Sequence, residues 1–293
     1  MRIPCSLLAL SCCFAAHAQE LQPLIDRPVT LPQGKVDLTL QGTYTNWSLL
    51  GTSLDGETLA FGVDFGATQR VQLGLAMALP INPGAGFGSV LGSAAVAAHR
   101  DVALRFDFGF ENLGTNGNPA SNHVNRYFGG LGARIKVPIT PTIAFVSGRV
   151  GAVDFGHFNN IGSNGTGLYL GSTAFPELSS DFLVVSAGNN NSPTIVGINL
   201  PAGLLVQPDP HFALTLLAGY SAALDFPSGA GSQSFVLHYV PIGLEAVVTP
   251  APILDIGTRF MIDGYFAQTG GNSAGNPGYF DQRALLFWIR IHA

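Results

Sequence analysis

Apolar and polar residues alternate one by one along several long stretches of this chain. One stretch places Val71, Leu73, Leu75, Met77 and Leu79 on one face and Gln72, Gly74, Ala76 and Ala78 on the other. Similar alternation recurs around residues 35–44, 59–65 and 102–110. A period of two residues is the signature of a β-strand. The pattern therefore predicts an all-β fold.

The less apolar face of these strands is small or polar rather than heavily charged. Between Val102 and Phe110 it consists of Ala103, Arg105, Asp107 and Gly109. The outer face of a soluble sandwich would instead carry many Lys and Glu. One face toward lipid and one toward a polar lumen fits a transmembrane barrel. After the first 18 residues, no apolar run is long enough to predict a transmembrane helix.

Short and long polar connections alternate between the predicted strands. The short ones lie near 67–70, 98–101, 138–141, 207–210 and 249–252, and the longer ones near 47–57, 80–88, 111–123, 156–192, 225–233 and 269–278. Bacterial barrels have short periplasmic turns and longer outer loops. We therefore predict a transmembrane antiparallel up-and-down β-barrel of about twelve strands, with ten to fourteen possible. Both termini would lie on the periplasmic side.

Two stretches leave alternatives open at this point. The fourth strand, near 88–98, has few large apolar residues, and losing it would change the count to ten strands or require a different pairing. The stretch 156–192 could fold into the pore, close it from outside or remain a surface loop. Its apolar part, residues 178–185, favours packing in the lumen or a short strand extension.

The first residues have the pattern of a secretory signal peptide. A positive start at Arg2 precedes an apolar stretch, and Ala16-His17-Ala18 fits a cleavage site before Gln19. The predicted organisation is a signal peptide at 1–18, a periplasmic N-terminal segment at 19–33 and an outer-membrane barrel at 34–293. All three Cys precede the predicted cleavage site, so the exported chain would have no disulfides. The predicted location is the outer membrane of a Gram-negative bacterium.

Charged residues are scarce, which limits the classes of partner that the chain is expected to bind. Only 11% of its residues are charged, against about 25% in ordinary soluble domains. The net charge is −5, the only lysines are Lys35 and Lys136, and no basic cluster occurs. Nucleic-acid binding is therefore not predicted. Outer-membrane lipid is the expected partner.

Two segments resemble bacterial outer-membrane proteins. The last predicted strand, 279–292, places Leu285, Phe287, Ile289 and Ile291 on one face and ends at Ala293. It is similar to the C-terminal strand by which the barrel assembly machinery recognises such proteins. The stretch 26–35, Asp-Arg-Pro-Val-Thr-Leu-Pro-Gln-Gly-Lys, resembles the opening of uncharacterised outer-membrane barrels grouped loosely with transporters. The resemblance implies an outer-membrane barrel of the porin-like type.

The alternation assigns a set of charged residues to the lumen. These residues are Asp64, Arg105, Asp107, Arg134, Lys136, Arg149, Glu245, Asp255, Arg259 and Asp263. Charges of both signs in a pore can set its ion preference. They can equally form salt bridges that fill a barrel of intermediate width. The sequence leaves both alternatives open.

Catalytic, metal and cofactor sites are not predicted. Ser234 and His238 share a strand face, but four residues span about 13 Å, too far for a hydrogen bond. No His pair has the spacing of a helical metal site, and no phosphate loop or dinucleotide motif occurs. We expect a passive channel or transporter for small solutes, without a cofactor and not an enzyme. The alternatives are a plugged barrel that acts as an anchor or surface-interaction protein and, less favoured, a lipid-modifying enzyme.

Overall fold

The computed structural model describes residues 21–49, 52–82, 89–114, 123–147, 156–161, 168–173, 181–188, 194–226, 236–262, 268–270 and 280–293. The predicted signal peptide, residues 1–18, lies outside these ranges. Within them the helical structure is one 3-10 turn, Leu24–Asp26. None of the helical structure in this part of the chain is long and apolar enough to cross a bilayer.

The rest of the described structure is almost entirely β-strand. The strands are β1 (Val36–Leu49), β2 (Thr52–Gly66), β3 (Val71–Asn82), β4 (Ser89–His99), β5 (Val102–Gly114), β6 (His123–Thr140), β7 (Ile143–Ser147), β8 (Gly156–Ile161), β9 (Leu168–Thr173), β10 (Asp181–Gly188), β11 (Thr194–Asp209), β12 (Phe212–Phe226), β13 (Val236–Tyr239), β14 (Ile242–Ala251), β15 (Leu254–Ile262), β16 (Gln268–Gly270) and β17 (Phe280–His292). All of them pair antiparallel, and β8 with β9 forms a separate two-stranded sheet.

The other strands form a closed ring with twelve positions. Strands β1 to β6 are consecutive neighbours. The seventh position holds β7 and β10 end to end, since both pair with β6 on one side and with β11 on the other. β13 and β14 share the position after β12, and β15 and β16 share the next. Strand β17 fills the twelfth position, which confirms the predicted strand number and fold class.

The ring closes where the last strand meets the first. Leu40 pairs with Ile289 along the β1–β17 ladder. At its end the Val36 N–H donates to the Ala293 carbonyl at 2.9 Å, and the Ala293 N–H donates back at 2.8 Å. Both chain ends of the barrel therefore lie at the end that carries the short turns.

Side chains alternate between the outside and the inside of the barrel. On β3, Leu75 is 61% exposed on the outside, whereas its neighbour Ala76 is 6% exposed and faces the lumen. On β5, Phe108 is 67% exposed and the adjacent Asp107 is 5% exposed. The period of two therefore creates an apolar outer belt around a lumen whose lining is mostly polar or small, with some large apolar residues such as Leu286 and Trp288.

The five short connections lie where the sequence predicts them, but most are tighter. Only residues 100–101, 141–142, 210–211 and 252–253 separate the strands at four of them. The predicted loop 47–57 is wrong, because β1 and β2 extend through most of it. Tyr44 and Asn46 of β1 donate to the Asp55 carboxylate of β2 at 2.9 and 2.6 Å. Polar residues thus stabilise strand pairing there as cross-strand partners.

The long stretch 156–192 contributes to the wall of the barrel. Its residues Asp181–Gly188 form β10 and complete the seventh position, which corresponds to the predicted short strand extension. The sequence places the seventh strand in one run before this stretch, whereas the structure divides it between β7 and β10. Local periodicity cannot detect this division, because the two parts are joined only through β6 and β11.

Candidate functional site

Most of the charged residues assigned to the lumen are buried inside the barrel. Arg105, Asp107, Lys136, Glu245, Asp255 and Arg259 are buried, and Asp64 and Arg134 are half-buried. Arg149 and Asp263 lie outside the described residues. That this set of charged residues selects the solutes which pass stays a prediction.

Four of the charged residues predicted to line the lumen form two ion pairs with each other in the described part of the barrel. Glu245 and Arg259 are direct partners on β14 and β15, and Arg259 Nε donates to Glu245 Oε2 at 3.0 Å. On β5, Arg105 Nε donates to Asp107 Oδ2 at 2.6 Å, two residues along the same face. Part of the predicted set is therefore joined in salt bridges along the wall.

Residues 21–35, which we call the cap, lie across the lumen at the short-turn end. The cap enters β1 through a turn at Gly34, which has a φ of +78° that glycine adopts without strain. Gly34 N–H donates to the Gly66 carbonyl at 2.8 Å. On the way, Val29 N–H donates to the Arg100 carbonyl in the β4–β5 turn at 3.0 Å. The cap thus touches the wall at widely separated strands.

An arginine of the cap is held by an acidic pocket at the seam of the barrel. Arg27 Nη1 and Nη2 donate to the two carboxylate oxygens of Asp255 at 2.6 and 3.2 Å. The side chain of Asp255 is 0% exposed and also accepts from Thr249 Oγ1 at 2.7 Å. His292 lies between Asp255 and Asp37, with ring nitrogens 2.8 and 2.7 Å from their carboxylates. This cluster links the cap to β15, β17 and β1.

Two apolar residues of the cap enter the lumen itself. Leu24 and Ile25 are 5% and 4% exposed. Their cluster of buried residues also includes Ala144, Val146, Leu205, Ala213, Val247 and Trp288. Trp288 has space inside because its partner across the strands is Gly257, where a Cβ atom would lie 2.1 Å from the indole ring. The cap therefore has a small hydrophobic core with one side of the wall.

Buried polar side chains of the wall bind the peptide groups of the cap. Gln207 Oε1 accepts from the Ile25 N–H at 2.9 Å, and Gln72 Oε1 accepts from the Leu31 N–H at 2.9 Å. Lys136 Nζ donates to the carbonyls of Leu24 and Arg27. Arg134 Nη1 donates to the Val29 carbonyl at 3.2 Å. These contacts satisfy backbone groups that would otherwise lose their hydrogen bonds to water on entering the lumen.

The cap also meets β2 at close range. A Cβ atom at Gly66 would lie 2.0 Å from the Pro32 carbonyl oxygen and 2.9 Å from that of Leu31. Both are backbone atoms that cannot swing aside as a flexible side chain can. Only glycine at position 66 lets the cap lie this close to the wall.

A second apolar layer lies in the lumen at a different level from the acidic pocket. It contains Leu217, Met261, Ala284 and Leu286, all buried. Arg259 is the register partner of Leu286 across β15 and β17, so the Glu245–Arg259 pair borders this layer. The lumen is therefore occupied here by wall side chains.

The sequence places Asp255, Arg134 and Lys136 in the lumen but Arg27 in a periplasmic segment, so it does not predict the cap as their partner. The available signal was the apolar pair Leu24-Ile25 next to an arginine in an otherwise turn-rich segment. Among the described residues, no group of three or more His, Cys, Asp or Glu could hold a metal ion.

No family model and no curated protein matches this sequence. Solved structures with similar folds include the NanC porin, with 7% identity, a TM-score of 0.47 and coverage of 87% of this chain and 98% of that chain. The translocator domain of the autotransporter NalP from Neisseria meningitidis has 13% identity, a TM-score of 0.43 and coverage of 98% and 97%. LpxR from Salmonella typhimurium has 9% identity, a TM-score of 0.43 and coverage of 88% and 99%. These structures are outer-membrane β-barrel proteins.

Proposed function

We propose that this protein is an outer-membrane channel for small solutes whose periplasmic mouth is closed at rest by the cap. The outer belt of exposed apolar side chains supports the membrane location. A continuous apolar surface of this kind is unfavourable in water and suits lipid contact. In this proposal the short-turn end is periplasmic, the chain is inserted by the barrel assembly machinery, and no catalytic step is involved.

The observation that carries the gating proposal is that the cap is not part of the barrel wall. The ring of strands closes through the β1–β17 ladder without any residue of 21–33. The cap is held by hydrogen bonds, one ion-pair cluster and a small apolar contact, all of them noncovalent. Its departure would open the mouth while leaving the wall complete.

The test compares two proteins refolded into planar bilayers. One is the exported chain, residues 19–293, and the other is a capless variant that lacks residues 22–32. We expect rare, brief openings from the first and steady stepwise conductance from the second. Heat-dependent migration on gels, typical of folded barrels, serves as the folding control. Equal conductance of both proteins would contradict gating by the cap.

A second candidate function is a permanently closed barrel that acts as an anchor or presents its outer loops. The observation that favours it is the layer of Leu217, Met261 and Leu286 beside the Glu245–Arg259 pair, which occupies the lumen independently of the cap. A folded capless variant that never conducts would support this candidate over the channel.

A further inference from the structure

The cap is bound through features that any short peptide could present. Gln72 and Gln207 accept backbone N–H groups, and Lys136 and Arg134 donate to backbone carbonyls. Because these contacts reach main-chain atoms, they do not depend on which side chains the bound segment carries. The wall therefore recognises an irregular peptide backbone from several strands at once.

Two neighbouring pockets bind side chains of the cap. Leu24 and Ile25 lie against the apolar pocket that includes Val146, Leu205 and Trp288. Two residues farther along, Arg27 makes a two-pronged contact with Asp255. A planar guanidinium matches a carboxylate in this geometry, whereas an ammonium group does not. The site therefore selects an apolar pair followed closely by an arginine.

Removal of the cap would leave these groups facing the lumen. The Asp255 carboxylate would keep its contacts with Thr249 and His292 but lose the guanidinium of Arg27, and the side-chain amides and cations would lose the peptide groups they bind. The loss of hydrogen bonds by polar groups in a confined lumen is costly. A solute that restores these contacts would be stabilised in the same place.

We propose that the short-turn half of the lumen is a binding site for short peptides with an arginine next to apolar residues, and that the cap occupies it as an internal competitor. The proposal rests on the channel function proposed above and names its solute class. An acyl chain would fill the apolar pocket but would not replace the hydrogen bonds that Gln72, Gln207 and Lys136 make with the cap. A sugar could pair with those groups, but it offers neither the apolar pair nor the guanidinium.

The test uses the capless variant with Trp47→Phe, so that Trp288 is its remaining tryptophan and reports on the apolar pocket. The probes are end-blocked tetrapeptides: Leu-Ile-Asp-Arg, the unrelated Val-Leu-Ser-Arg, and each of these with citrulline in place of arginine. Citrulline keeps the shape of arginine and removes its charge. We expect both arginine peptides to bind at least tenfold more tightly than their citrulline counterparts.

Two further comparisons test whether the preference for arginine over citrulline arises at this site. Asp255→Asn should remove most of the difference between arginine and citrulline, whereas Asp209→Asn at the exposed end of β11 should leave it unchanged. The unaltered chain should bind the arginine peptides at least tenfold more weakly than the capless variant, because the cap competes. If the capless variant does not fold, the full chain with Arg27→Gln replaces it, and it should bind more tightly than the unaltered chain.

The outcomes separate the two proposals. Conductance without arginine-dependent binding would leave the channel standing and overturn the peptide site. Arginine-dependent binding without conductance would support the peptide site and overturn the channel. Binding of Leu-Ile-Asp-Arg alone, with no affinity for Val-Leu-Ser-Arg, would show that the site serves only the cap and would overturn the proposed solute class.

Discussion

Gly42 and Gly66 lie on neighbouring strands of the wall. Because their surroundings differ, comparing the two positions tests whether the cap lies against β2. A Cβ atom at Gly42 would meet nothing within 4 Å, whereas one at Gly66 would overlap the backbone of the cap. Both residues are in extended strands, so an added methyl group is tolerated by the local backbone at either position. The difference between them comes from the cap alone.

We predict that Gly66→Ala loosens the cap and raises the open probability of the channel. Overpacking of this kind costs about 1–3 kcal/mol, which corresponds to a shift of roughly fivefold to 150-fold toward the open state. Single-channel recording measures the open probability, and Gly42→Ala is the matched control with no expected change. An equal response of the two variants would show that the cap does not lie against β2 in the membrane.

At the level of secondary structure, the divided seventh position is the least regular part of the barrel. Ser147 at the end of β7 pairs with Ile135, and Asp181 at the start of β10 pairs with Gly132 on the same neighbouring strand. Their partners are therefore three residues apart, a distance of about 10 Å. Two residues would suffice to join β7 and β10 into one continuous strand.

We predict that replacing residues 148–180 with two residues, such as Thr-Thr, preserves the barrel. Shortening the connection should stabilise the folded state by up to about 2 kcal/mol, because less loop entropy is lost on closure. The free energy of unfolding is measured by urea denaturation, followed by gel migration. Direct fusion of Ser147 to Asp181 is the control, because no residue would then span the distance of about 10 Å along β6 and the barrel should not form. Folding of the direct fusion as readily as the two-residue variant would contradict the assigned register.

At the scale of the whole molecule, the lumen contains a buried pair of opposite charges on the neighbouring strands β14 and β15. The Glu245–Arg259 pair is buried, with Arg259 2% exposed. In the proposed open state without the cap, this pair would line the path of the solutes. Its balance of charge should then influence which ions pass.

We predict that Arg259→Gln in the capless variant shifts permeability toward cations, because the Glu245 carboxylate is left without its partner. Glu245→Gln should shift it toward anions. The expected change in permeability ratio is roughly fivefold in each direction, equivalent to about 1 kcal/mol of electrostatic free energy. Reversal potentials in a salt gradient measure the ratio. The double variant and Arg70→Gln in an exposed turn are the controls, and unchanged ratios in both single variants would contradict the assignment.

The strands were predictable from the sequence because their signal is local. Alternation around Leu75 and Phe108 identifies the outer face of the barrel without knowledge of any other strand, and the short turns follow from the polar breaks between such runs. The same alternation assigned Arg105, Asp255 and Arg259 to the inner face. Counting hairpins then led to twelve strands.

The cap and its site were decided only by the tertiary structure. Arg27 meets Asp255 across 228 residues of sequence, and Ile25 meets Gln207 across 182. An irregular segment has no periodicity from which its partners could be inferred, and its polar contacts exist only once the ring has closed. The sequence by itself determined a barrel with an apolar outside and a polar inside. Closure of the β1–β17 seam decided what lies in the lumen, because that step brings the cap and the distant wall residues together.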